Sequence, residues 1–150
     1  MMTGVLSAVR MMFPSSKIIG TNVEPSEQFT IALQLGETYD FTMVGDMRQI
    51  TTQPDLAIAF EYFEHFEQPL QHLEQTIGAT KPKRLLIANT FNQPATGHFI
   101  EYLIDDRPTH GSKLGRLFNN ALRDIGYEKI KTKLWNNRPT YWKLRTNADL

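Results

Sequence analysis

The sequence predicts an α/β domain built in layers, its sheet mostly parallel and closed by an antiparallel hairpin at the C-terminal edge. Three observations carry this expectation. Two short runs, Leu56-Ala57-Ile58-Ala59-Phe60 and Arg84-Leu85-Leu86-Ile87-Ala88, are apolar without polar alternation. Such runs suit strands covered on both faces of a parallel sheet. Between them Phe66, Leu70, Leu73 and Ile77 recur every three or four residues, the spacing of a helix face. Near the end, Lys129–Trp135 and Thr140–Arg145 alternate as paired strands do, around an Asn136-Asn137-Arg138-Pro139 turn.

The elements follow in order. Residues 4 to 12 carry an apolar stripe of Val5, Leu6, Ala8, Val9 and Met12 and predict a helix that Pro14 ends. Lys17 to Gly20 predicts a brief strand. Pro25 suits the first position of a second helix, with Phe29, Ala32 and Leu33 facing the sheet and Gly36 closing it. Asp40 to Val44 predicts a strand that ends at Gly45-Asp46. After the Asp55–Phe60 strand, a helix is expected to run to Gly78. Residues 92 to 111 lack periodicity and predict a long loop, a length more often functional than idle. Ser112 is expected to cap the last helix, whose Leu114, Leu117, Phe118, Ala121, Leu122 and Ile125 form its core face.

The bulk properties narrow the function. One domain over residues 1–150 is expected from the length. Sixteen basic residues balance sixteen acidic ones, so no net field draws nucleic acid or an anionic membrane. With no cysteine, thiolate nucleophiles, disulfides and Cys-ligated zinc are excluded. No run reaches the about 18 apolar residues of a membrane span, and no secretory leader is evident. A cytoplasmic location is the expectation. Lys129, Lys131 and Lys133 alternate on one strand face, either as an RNA-binding face or as a protected edge. Tyr62, Phe63 and Phe66 read as core, and His72 as a surface residue.

The chemistry concentrates at Glu61-x-x-Glu64-His65, directly after an apolar strand. On a helix these three fall at i, i+3 and i+4 and share one face. Open α/β sheets place ligand sites at such strand ends. Two carboxylates with one or two imidazoles suit Mn²⁺, Fe²⁺ or Zn²⁺, and Mg²⁺ less naturally. Two plainer readings stand beside it. Acids in a first helical turn favour the helix dipole, and His65 can serve as a general base or substrate contact without metal.

Across nearly its whole length the chain resembles the class I S-adenosylmethionine-dependent methyltransferases. Ile19-Gly20-Thr21-Asn22-Val23-Glu24-Pro25 is similar to the end of their second strand, and Gly45-Asp46-Met47 to the end of the third. Asp55 through Pro69 resembles the fourth strand with its helix, and Thr80 through Ile87 the turn and fifth strand. The resemblance implies a Rossmann-like fold and an S-adenosylmethionine cofactor. It implies an O-directed methyl transfer to a small molecule or an RNA end. It implies cofactor contacts from Gly4, Asn22, Val23, Glu24, Asp46, Met47 and Phe60, and catalytic roles for His65 and Glu61. Glu61-x-x-Glu64-His65 is similar to the metal motif of two O-methyltransferase subfamilies, which implies a divalent-metal set of Glu61, Glu64, His65 and His110, with His98 the competitor for the second histidine. The family's first strand and glycine-rich loop have no counterpart, and its acidic ribose ligand is Asn22 here, with Glu24 as substitute. In the family that strand lies mid-sheet, between the second and the fourth. Its absence implies an inactive methyltransferase-like remnant, a sheet that closes differently, or a second copy or another partner completing the sheet.

Overall fold

A computed structural model describes residues 2–22, 24–134 and 138–146. The fold is mixed α/β, with several small sheets and, among the described residues, four α-helices. The chain forms two compact units, Met1–Thr51 and Thr52–Leu150.

In the first unit, helix α1 (Met2–Met12) and helix α2 (Glu27–Tyr39) accompany a two-stranded parallel sheet of β1 (Ile19–Thr21) and β2 (Thr42–Val44). Ile19 pairs with Thr42 and Thr21 with Val44, so the two strands finish side by side. Helix α2 starts later than Pro25 suggested, because Ser26 is its N-cap and accepts the Phe29 N–H at 3.0 Å. It also runs past Gly36. Asp40, at φ 54°, takes the left-handed capping position and donates its N–H to the Gly36 carbonyl. Gly36 is there for space, since a Cβ would lie 2.6 Å from the Phe41 carbonyl oxygen. Phe29 and Ala32 are buried, whereas Leu33 is 44% exposed and does not face the sheet as the sequence predicted. Arg10 ties the end of α1 to the end of α2. Its guanidinium donates to the carbonyls of Pro14 (2.7 Å), Ser16 (3.0 Å), Tyr39 (3.2 Å) and Asp40.

In the second unit β3 (Ala57–Phe60) pairs parallel with β4 (Arg84–Ala88). The sheet order is β3-β4-β8-β7, where β7 is Tyr127–Ile130 and β8 is Thr140–Leu144. The last strand enters antiparallel between β4 and β7. Leu85 and Ile87 of β4 join Phe63, Leu73, Phe91, Tyr102, Tyr127 and Trp142 in the core. Helix α4 (Gly111–Asp124) contributes Leu114, Phe118 and Leu122, one turn apart and all buried. Each such side chain stabilises by about 1.5–3 kcal/mol on burial.

Four expectations are corrected here. No helix begins at Glu61. Its φ of 46° breaks the run, Phe63–His65 form one 3₁₀ turn, and helix α3 starts only at Pro69 (Pro69–Leu73), continuing as a π-turn over Glu74–Gly78. The segment expected to be a loop holds a hairpin of β5 (Glu101–Ile104) and β6 (Arg107–His110). Its two turn residues, Asp105 and Asp106, both adopt positive φ (50° and 59°), which suits a type I′ connection. The N-cap of α4 is His110, not Ser112, its Nδ1 accepting the Ser112 N–H at 3.2 Å. Lys131 and Lys133 lie beyond β7, so the lysine-lined strand face is not built. The expected turn's Asn136 and Asn137, with Trp135, lie outside the described residues. Among the described residues no helix is long and apolar enough to cross a membrane.

Candidate metal and ligand site

Both parallel strand pairs end in polar residues, and the two ends differ in chemistry. At the first, the Asn22 N–H donates to the Val44 carbonyl at 3.4 Å, placing Asn22 beside Gly45-Asp46. The Glu24 side chain lies over Gly45, where a Cβ would have to push its carboxylate aside. Asp46 caps a short 3₁₀ turn, accepting the Arg48 N–H at 2.8 Å and the Arg48 Nε at 2.7 Å. The Arg48 guanidinium at 2.5 Å holds the Asp46 carboxyl below the usual carboxylate range. Met47 opens that turn. Gly4 sits within α1 rather than in a loop, and Val23 lies outside the described residues. Asn22 and Glu24 thus supply groups of the kind a ribose needs. Asp46 is already engaged, and no glycine-rich turn for the methionine half of S-adenosylmethionine occurs among the described residues. The described residues fit at most the nucleoside half of that cofactor.

At the second end the β3–β4 ladder runs one step further, the Glu61 N–H donating to the Ala88 carbonyl at 2.8 Å. Glu61 then turns left-handed, a conformation that costs a non-glycine residue of the order of 1 kcal/mol or more. The turn carries its carboxylate back toward Glu64. Glu64 is fully buried. Its Oε1 accepts the Thr90 N–H at 2.9 Å, and its Oε2 accepts the Asn89 amide at 3.1 Å once that amide is turned to the orientation in which both its ends find partners. The Thr90 hydroxyl donates to Glu61 Oε1 at 3.0 Å. Burial raises the Glu64 carboxyl above its ordinary value, and the neighbouring Glu61 carboxyl pushes it further in the same direction, while the Thr90 N–H opposes.

Glu61, Glu64 and His98 offer donor atoms that all lie within 4.8 Å of one another. The His98 Nδ1–H donates to the Gln93 carbonyl at 3.2 Å, which leaves Nε2 with its lone pair. Two carboxylates and an imidazole in that spacing suit a divalent first-row cation. Of the four residues expected to hold metal, Glu61 and Glu64 are brought together and two are not. His65 turns outward, its Nδ1–H donating to the Gly97 carbonyl at 3.0 Å and its ring set edge-on to His98 at 4.8 Å. His110 is occupied at the α4 cap, with Nδ1 2.9 Å from the Ser112 hydroxyl. The competitor histidine is the one that joins the carboxylates.

The loop reaches this position through two glycines. Gly97 has φ 80°, and a Cβ on it would lie 3.2 Å from the His65 ring. Gly111 leaves no room for a side chain against the Phe91 carbonyl, so α4 starts hard against residues 91–92. Asn89 and Thr90, which orient the carboxylates, carry a sequence signal, since they are the first polar residues after an apolar strand. Tyr102 carries none. Its hydroxyl donates to the Glu64 carbonyl at 3.4 Å, and burial first, then the Glu64 charge, pushes it up to about 12. Phe60 ends β3 half-buried. His72 is not the surface residue expected. It stacks on Phe66 at 3.6 Å and meets the Tyr62 hydroxyl at 2.9 Å.

The fold and site define a mixed α/β protein with a carboxylate–histidine cluster at the ends of a parallel strand pair. No family model, no curated protein and no solved structure was found to match the chain.

Proposed function

We propose that the protein binds a divalent cation through Glu61, Glu64 and His98 and that it serves an O-directed methyl transfer. The observation that carries the proposal is the approach of those three donors to within 4.8 Å. A bound cation supplies a Lewis acid that lowers the pKa of a coordinated hydroxyl. The chain's own groups do the rest. Glu64, anchored by Asn89 and Thr90, fixes one donor oxygen. Glu61 brings a second through its left-handed backbone. His65, with its proton on Nδ1, presents Nε2 as a base for the hydroxyl proton. S-adenosylmethionine, as methyl donor, rests on the resemblance. Supporting it are the parallel β1–β2 pair with Asn22 and Glu24 at its end, and the antiparallel last strand inserted between β4 and β7.

A second reading is favoured by the ion pair that engages Asp46 and by the helical Gly4. On it the protein is a methyltransferase-like binding module without turnover, completed by a partner. Two measurements separate the readings. Mn²⁺ at about 100 times its Kd should add roughly 2.7 kcal/mol, a melting shift of several degrees. Glu64→Gln and His98→Ala should abolish that shift and His65→Ala should keep it. An equal Mn²⁺ response in all variants ends the metal proposal. Calorimetric titration with S-adenosylhomocysteine tests the donor, and no heat at millimolar ligand leaves the binding module.

A further inference from the structure

Between α4 and the ends of β4 and β8 the second unit has a cleft of about 180 Å³, with Asn89 in its lining. Its floor is apolar, formed by Phe91, Phe118 and Leu122, while Asn89, Lys129 and Arg138 stand on its rim. The volume is close to the roughly 150 Å³ that suffices for a benzene-sized guest.

The charge on the rim is of one sign. The ion pairs among the described residues join Arg10 to Asp40, Arg48 to Asp46 and Lys83 to Asp55, and none engages Lys129 or Arg138. A third cation lies close by. Arg123 and Lys129 both face the Trp142 ring, at 5.8 and 5.7 Å from its centroid. Partial burial, and after it the repulsion of Arg123 and Arg138, lowers the Lys129 pKa. Thr140 is not a ligand group, because its hydroxyl donates to the Ile87 carbonyl (2.9 Å) and accepts from the Trp142 indole (3.0 Å). Those bonds hold β8 in place beneath the cations. Apolar side chains with convergent polar groups are the usual lining of a small-ligand pocket, and here the two kinds share the surface about equally.

We propose that this cleft binds a one-ring aromatic anion, its carboxylate or phosphate on Lys129 and Arg138 and its ring on Phe91, Phe118 and Leu122. Asn89 is a side chain shared by the cleft and the carboxylate cluster, lining the first and donating to Glu64 Oε2 in the second. That a hydroxylated ring of this kind is the acceptor for the transfer proposed above rests on that reading. The binding itself does not, and it is tested without cation or S-adenosylmethionine.

The experiment is calorimetric titration of the full chain with benzoate, phenyl phosphate and neutral benzamide. An anion at least about tenfold tighter than benzamide is expected, since charge-assisted bonds are about twice as strong as neutral ones. The tighter of the two anions assigns the head group. Arg138→Gln and Lys129→Gln should each weaken it about tenfold at unchanged melting temperature. Lys113→Gln removes the same charge from an exposed site on α4 and should change it less than about twofold. Arg138 is exposed, so its variant keeps the test open if Lys129→Gln unfolds. Equal binding of benzamide, an equal loss in Lys113→Gln, or no heat at about 10 mM anion overturns the proposal.

Discussion

In the first unit the ends of β1 and β2 deliver Asn22 and Asp46; in the second the ends of β3 and β4 deliver Glu61 and Asn89. The sequence pattern is alike, a short apolar strand running into polar residues. Asp46 meets a cation within its own turn, in Arg48, and its charge is answered locally. Glu61 meets a second carboxylate, Glu64, that is fully buried and has only neutral donors around it. At the first end the Asp46 charge is neutralised in place. The second concentrates negative charge, left-handed backbone and a histidine, features that cluster at functional sites.

The contrast can be broken from either side, and the largest effect is expected at Glu64. Glu64→Ala removes the acceptor of the Thr90 N–H and leaves a cavity, and should cost about 2–4 kcal/mol in urea unfolding. Glu64→Gln keeps the volume and an acceptor while deleting the crowded charge. Without metal it should melt a few degrees above the parent, as expected where site and stability conflict. A Gln variant as unstable as the Ala variant would mean that the carboxylate pair is not strained.

Next comes acid. Burial against Phe66 and Tyr62 holds the His72 imidazole down to about 4. With the folded value below the unfolded one, the unfolded chain binds the proton first. His72 therefore leaves stability intact above pH 6.5 and subtracts from it as pH falls toward 4. Denaturation midpoints between pH 7 and 4 should show this slope, and His72→Leu should flatten it.

Smaller again is the backbone effect at Glu61. Both Glu61→Ala and Glu61→Gly lose the bond from Thr90, but only alanine keeps the cost of a positive φ. The glycine variant should be more stable by about 1 kcal/mol. The smallest effect belongs to the first unit. Arg48→Ala breaks an exposed pair and should move the melting temperature by about one degree at most. A large loss there would erase the distinction between the two ends.

Much of this was readable in the chain because it is local. The runs at residues 56–60 and 84–88 are apolar whatever surrounds them, and Leu114, Phe118 and Leu122 recur at the period of a helix, so β3, β4 and α4 were legible. The β5–β6 hairpin was not, since Pro108 and two aspartates lack the alternation and glycine that announce one. The shared helical face of Glu61, Glu64 and His65 was also misread. Helical spacing assumes right-handed backbone, and Glu61 leaves it.

What the sequence alone determined is that a short apolar strand would end in two glutamates, and that several histidines were at hand to join them. Tertiary structure decided which histidine does. His98 enters because Gly97 lets the chain pass close to His65 and Gln93 holds the imidazole in place. His110 is drawn off to cap α4. Distance along the chain says nothing about either event. Both follow from which backbone groups, once packed, remain in need of a partner.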